Sequence, residues 1–365
     1  MNIPLVDLSR QYDEVEGLIA AGWSNVMKQS SYILGPEVAE FERTFAEFCQ
    51  VGHCIGVGNG TDALELALRA LGIGPGDEVI LPANTFIATA LAPIRAGISV
   101  RLVDCVPGTH LIDIEQAVAA VGPRTKALMP VHLFGQMAPV EELAEHLPDL
   151  FIVEDAAQAQ GASRYGRRAG SVGHVAGTSF YPGKNLGAFG DAGAVMTHDV
   201  DAADRIRTLR NWGSDRKYHH PVAGFNSRLD TLQAVVLSAK LTRLVDWNDQ
   251  RRTAAIYYDS LLSGYEQMTL PTTLAGNVHI YHLYVVEVDD RDRVLAALNS
   301  AGIGAGVHYP VPIHLQGALA HLGHQAGDFP HAEAAASRML SLPMFPGIRT
   351  GEQDRVAEVI SECLS

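Results

Sequence analysis

The segment Ser179 to Val195, SFYPGKNLGAFGDAGAV, sets one lysine, Lys184, among small residues that let the backbone fold tightly around a bound group. A lysine held in such a loop can form a Schiff base with a carbonyl, although most loop lysines are simply solvated. A second motif strengthens the chemical reading. In VEDAAQAQGA, Val153 to Ala162, an apolar run from Leu150 delivers Glu154 and Asp155 at its carboxyl end. A strand-end carboxylate and a loop lysine about thirty residues apart suggest pyridoxal 5'-phosphate (PLP), whose sites pair a Schiff-base lysine with a carboxylate at the pyridinium nitrogen.

An anion site is legible upstream. GVGNGTDAL runs from an apolar strand through Gly58, Asn59 and Gly60 into a helix beginning near Thr61. Unbonded backbone N–H groups and the positive helix end converge there, so a phosphate needs no basic residue. The plainer alternative is a strand-to-helix turn capped by Thr61 or Asp62. A dinucleotide-binding turn fails on context, because its acid should end the next strand, whereas Asp77 and Glu78 precede VILP. The histidines, His308, His314, His321, His324 and His331 among them, supply neither a paired Cys/His pattern nor HExxH, so no metal site is expected.

Composition narrows the class. A chain of 365 residues with a formal net charge of -14 and no basic block lacks the electrostatic footprint of a nucleic-acid or membrane-surface binder. Cys49, Cys54, Cys105 and Cys363 show no CxxC spacing and are few for the length, which favours reduced thiols and a cytoplasmic protein. The amino terminus reads as no signal peptide, and the apolar stretch Ile87 to Val100 is interrupted by Pro93 and Arg95, so no membrane span is expected.

The elements that must position these groups alternate: strand HCIGVGN, helix TDALELALRALG, strand EVILP, helix TFIATALAPIRAG, strand SVRLVD, then IEQAVAAV, KALMPVHL, VEELAEHL and LFIVED. Such alternation predicts an α/β fold, a mostly parallel sheet flanked by helices. Two further strands, Ala176 to Tyr181 and Gly193 to Thr197, precede a helix at Ala202 to Asn211, a polar loop from Gly213 to Ala223, and one long helix over Leu229 to Ile256. The pattern then changes to that of a smaller α+β domain, so residues 1–245 are expected to form a large cofactor-binding domain and 246–365 a small C-terminal one.

Together these motifs resemble the DegT-type nucleotide-sugar aminotransferases, a branch of the fold-type I, aspartate-aminotransferase-like PLP enzymes. The likeness also runs through IPLVDLSRQY, GDEVILPANTFIATA, GFNSRLDTLQAV and HYPVPIHLQ, nearly the whole chain. It implies that Lys184 carries PLP, which cycles through pyridoxamine phosphate, and that Asp155 rather than Glu154 partners the ring nitrogen. It further implies that Gly60, Thr61 and Ser179 bind the phosphate, Phe86 stacks on the ring, and Gln158 contacts its hydroxyl. Asn226 is expected to reach the neighbouring subunit's site, giving a homodimer with shared active sites. His308, Tyr309 and His314 resemble a substrate-side loop, with a proline-stiffened connector as the plain alternative. Sequence position 1 to about 12 is expected to pack on the small domain.

Related sugar dehydratases carry histidine where this chain has Lys184, so transamination of a nucleotide-linked keto sugar is favoured, with glutamate as donor. GKNLGAFGDAG resembles the branch that aminates carbon 3 more than the carbon 4 branch, although Ala192 stands where many relatives have glycine. The rival readings are a 4-keto sugar aminotransferase and an amino-acid transaminase. A non-catalytic sensor on this fold would be expected to lose the lysine or carboxylate, or to carry a DNA-binding module.

Overall fold

The computed structural model describes residues 2–364. Its main sheet has seven strands in the order His53–Val57, Gly193–Thr197, Val175–Ser179, Phe151–Asp155, Thr125–Leu128, Glu78–Pro82, Ser99–Val103. Gly193–Thr197 runs antiparallel to both neighbours and the other pairings are parallel. Helices cover both faces, so strands such as Glu78–Pro82 and Gly193–Thr197 are buried throughout, as their apolar runs require. Helix Gly60–Ala70 lies against Val175–Ser179 so closely that a Cβ on Gly177 would stand 2.7 Å from Leu64 Cδ2.

A separate apolar cluster joins Tyr258, Tyr284, Val286, Leu298, Leu340, Val356 and Ile360. It is built on the three-stranded sheet containing Tyr284–Val288 and on helices Leu244–Leu262, Arg291–Ser300 and Thr350–Leu364. Ile3 is buried in this cluster, pairs with Ile303, and exchanges backbone hydrogen bonds of 2.9 and 2.7 Å with Gly302 and Gly304. Arg10 adds an ion pair to Glu352 at 2.6 Å.

Three expectations need correction. The single helix over 229–256 is two, Thr231–Leu241 and Leu244–Leu262, broken at Thr242 and Arg243. KALMPVHL is strand only to Leu128, because Pro130 lacks the N–H that would extend the ladder. Asn59, rather than Thr61 or Asp62, caps helix Gly60–Ala70, its side chain accepting the Asp62 N–H at 2.8 Å.

Candidate active site

The parallel strands end on one side of the sheet, where ligands of open α/β sheets bind. There a cavity of about 710 Å³ is lined by Gly60, Thr61, Phe86, Asp155, Gln158, Ser179, Lys184, His308 and Tyr309. One cavity thus collects residues from five separated motifs.

Strand alternation separates the two adjacent acids. Asp155 lines the cavity, whereas Glu154 is wholly buried on the other face. Glu154 accepts N–H bonds from Gly170, Val172 and Gly173 at 2.9, 2.8 and 2.6 Å, and its Oε2 lies 2.6 Å from His132 Nε2. His132 Nδ1 accepts the Ala138 N–H at 3.1 Å, so its proton sits on Nε2 toward Glu154. Glu154 is therefore saturated by structural bonds. Asp155 accepts the Thr89 hydroxyl at 2.7 Å and the Ala157 N–H at 3.1 Å. Burial pushes its carboxyl above the ordinary range, against the pull of these two bonds and of Lys184.

Lys184 follows a turn closed by its own N–H to Tyr181 O at 2.8 Å. Desolvation brings its amine down from 10.5 to about 8, although Asp155 pulls the other way. The loop beyond it is pinned. Asn185 donates to Asn248 Oδ1 at 2.8 Å and faces His282 Nδ1 at 3.1 Å, and buried Lys240 donates to Gly187 O at 2.7 Å.

At the phosphate end, Asn59 takes the Asp62 N–H with its side chain and the Ala63 N–H with its carbonyl. The first-turn N–H groups of Gly60 and Thr61, which helix carbonyls cannot reach, border the cavity beside Ser179. A Cβ on Gly60 would lie 2.7 Å from Ser179 Cβ and 3.3 Å from its Oγ, so only glycine allows this approach. Gln158 is fixed from both sides, accepting Phe134 N–H at 2.6 Å and donating to the Tyr309 hydroxyl at 3.1 Å. Phe86 keeps 52% of its surface exposed and stands 5.3 Å, centroid to centroid, from the Tyr309 ring. An amine, a carboxylate, an anion-binding helix end and an open aromatic face fit pyridoxal phosphate. Gly60, Thr61 and Ser179 would hold its phosphate, Phe86 and Gln158 its ring, and Asp155 its nitrogen.

Two expected residues lie elsewhere. His314 is buried away from the cavity wall, its Nε2 3.0 Å from Glu333 Oε1 and its ring 4.7 Å from that of Phe329. Asn226 is exposed, bridged to Asn211, and outside its own chain's cavity. Arg228 lies over Trp212, 4.2 Å from the ring centroid. His308, by contrast, lines the cavity with Nδ1 2.8 Å from Ser341 Oγ. The motifs had not pointed to Thr85, Thr89, Tyr181 or His282, which line the cavity. Thr89, three positions after Phe86 at a helix start, carried the one usable signal. Among the described residues no group of three or more His, Cys, Asp or Glu could hold a metal ion, and no helix is long and apolar enough to cross a membrane.

Such a site, at the carboxyl ends of this sheet, is that of an aminotransferase. The chain belongs to the DegT/DnrJ/EryC1/StrS aminotransferase family, which it matches over residues 15–361. It is 44% identical over 363 residues to dTDP-3-amino-3,4,6-trideoxy-alpha-D-glucose transaminase of Streptomyces venezuelae, covering 99% of this chain and 96% of that one. It is also 44% identical over 366 residues to a pleiotropic regulatory protein of Geobacillus stearothermophilus, covering 99% and 98%. The crystal structure of S. venezuelae DesV in complex with a ketimine intermediate superposes with a TM-score of 0.98 at 43% identity, covering 100% of this chain and 99% of that one.

Proposed function

We propose that the protein transfers an amino group from L-glutamate to carbon 3 of a nucleoside-diphosphate-linked keto-deoxy sugar, using pyridoxal phosphate, in amino-sugar biosynthesis. The observation that carries this reading is the meeting of Lys184 and Asp155 in one cavity. Bound there, pyridoxal phosphate would act as the electron sink for the carbon that loses or gains the amine. Asp155 would hold the proton on the ring nitrogen, a task for a carboxylate kept in place by Thr89 and Ala157. Lys184 Nζ, lowered to about 8, is neutral often enough near neutral pH to take a proton from the donor carbon and to deliver one to the sugar carbon. Gln158 and Tyr309, bonded to each other, would orient the ring and close the cavity on the substrate side with His308.

The carbon 3 assignment draws support from the GKNLGAFGDAG loop and from the 3-amino sugar in the name of the Streptomyces relative. The regulatory name of the Geobacillus relative raises a second reading, a sensor. This chain keeps both Lys184 and Asp155, which favours catalysis. We further propose a homodimer in which Asn226 completes the partner's phosphate site, since Asn226 is exposed and lies away from its own cavity.

The test is turnover of nucleotide-linked 3-keto and 4-keto sugars, the former made in situ by a coupled isomerase, with the product amine assigned by NMR. Glutamate-dependent 3-amino product is expected. A reacting carbon displaced by even about 1 Å loses much of the rate. Efficient 4-amino product with none from competent 3-keto preparations would overturn the carbon 3 assignment, and no amine from any sugar would overturn the activity.

A further inference from the structure

Asp155 does not stand alone. Thr89 Oγ1 lies 2.7 Å from Asp155 Oδ2, and Thr85 Oγ1 lies 2.7 Å from Thr89 Oγ1. Both threonines are almost fully buried, at 1% and 2% exposure. A threonine in the first turn of a helix usually bonds to a nearby backbone group. Thr89 instead reaches a carboxylate 66 residues away. A hydroxyl has a single proton to give. If Thr89 donates to an ionised Asp155, its oxygen must accept from Thr85, and the chain has one direction, from Thr85 through Thr89 to Asp155.

We propose that Thr89, with Thr85 behind it, is a positioning residue that fixes the Asp155 carboxylate in one orientation and in its ionised form. With Oδ2 held by Thr89 and Oδ1 by the Ala157 N–H, the carboxylate cannot rotate without losing a charge-assisted bond. Burial works against the charge, while Lys184 favours it. Tyr309, whose phenol burial and Asp155 push up, remains a neutral donor beside it. The hydroxyl bond is thus one of few contributions that keep a buried carboxyl charged. Its consequence for the cofactor rests on Asp155 being the ring-nitrogen partner, whereas the hydroxyl chain itself can be read without cofactor.

The experiment compares Thr89→Val, Thr89→Ser and Thr85→Val in the full chain. Aspartate labelled with carbon-13 at the carboxyl is titrated by NMR in cofactor-stripped protein, and the Asp155→Asn variant identifies the signal. Thr89→Val is expected to raise the Asp155 titration, Thr89→Ser to restore it, and Thr85→Val to raise it less. On adding pyridoxal phosphate, the dissociation constant read by fluorescence should rise about tenfold in Thr89→Val and little in Thr89→Ser. An unchanged Asp155 titration in Thr89→Val, or a Thr89→Ser variant no better, would overturn the proposal. Should Thr89→Val not fold, an unchanged titration in Thr85→Val overturns it equally. A raised titration with unaltered cofactor affinity would instead count against Asp155 as the ring-nitrogen partner.

Discussion

On the proposed function, the chemistry of this chain turns on a lysine that must lose its proton and a carboxyl that must lose and keep off its own. Burial helps the first and hinders the second, because removing either group from water penalises its charged form. For Lys184 the amine falls from 10.5 to about 8, so neutral amine appears as pH rises through about 8 rather than through 10.5. Limiting acylation of the cofactor-free protein should therefore label Lys184 with a midpoint near 8 rather than 10.5. Lys240 supplies an internal control. Its amine is also lowered to about 8, but it is 2% exposed and donates to Gly187 O, so peptide mapping should find it unlabelled in the folded chain. A Lys184 midpoint near 10.5 would show that its amine is not desolvated. The same sign governs stability. Between about 8 and 10.5 the unfolded chain would hold a proton on residue 184 that the native chain has released, so this residue's penalty on folding shrinks as pH rises across that window.

Each element contributes its end to the site, and the ends are where sequence reading divided. Gly60, Thr61, Asp155, Ser179 and Lys184 lay in contiguous motifs whose local chemistry announces itself, and all five line the cavity. Thr89 offered only its place at a helix start, and His132 and His282 offered no signal, because the partners of all three, Asp155, Glu154 and Asn185, come from elsewhere in the chain. The alternation of strands and helices was readable from periodicity, but the break at Thr242 and Arg243 was not, since both residues continue a helical pattern. His314 misled for a related reason. Its short segment seats Tyr309 at the cavity, yet His314 itself turns to Glu333 in helix Pro330–Arg338. The helix end at Gly60 offers a sharp test of this element-level geometry. A methyl there would stand 2.7 Å from Ser179 Cβ, and Ser179 belongs to a sheet strand that cannot easily move. Gly60→Ala should push the helix start away from Ser179 and weaken pyridoxal phosphate binding by about tenfold or more, with the Lys184 profile preserved. Asn59→Ala should instead lower stability, by about 1 kcal/mol, through loss of the cap. Cofactor titration and thermal denaturation separate the two, and wild-type affinity in Gly60→Ala would remove the phosphate assignment from this turn.

At the scale of the whole molecule, a single chain leaves its cavity bordered by bare apolar surface. Phe86 and Tyr181 both line it, with 52% and 59% of their surface exposed. Asn226 is exposed as well, on a segment held by Asn211 and by Ser227, whose hydroxyl donates to Asp62 at 2.7 Å. If a second copy covers the cavity mouth and brings its Asn226 to the phosphate, each site is composite. Two individually inactive variants should then complement. Lys184→Ala removes the amine, and Asn226→Asp places a carboxylate against the cofactor phosphate, where like charges repel. In a heterodimer of the two, one site draws Lys184 and Asn226 from intact positions on different chains, and the other site carries both lesions. Random exchange makes about half of the dimers mixed, each with one working site of two, so about a quarter of wild-type activity should return. Subunit exchange is verified by mass spectrometry of differently tagged chains, and neither parent can complement within one chain. An Asn226→Asp homodimer with full activity, or verified heterodimers with none, would mean that each chain builds its site alone.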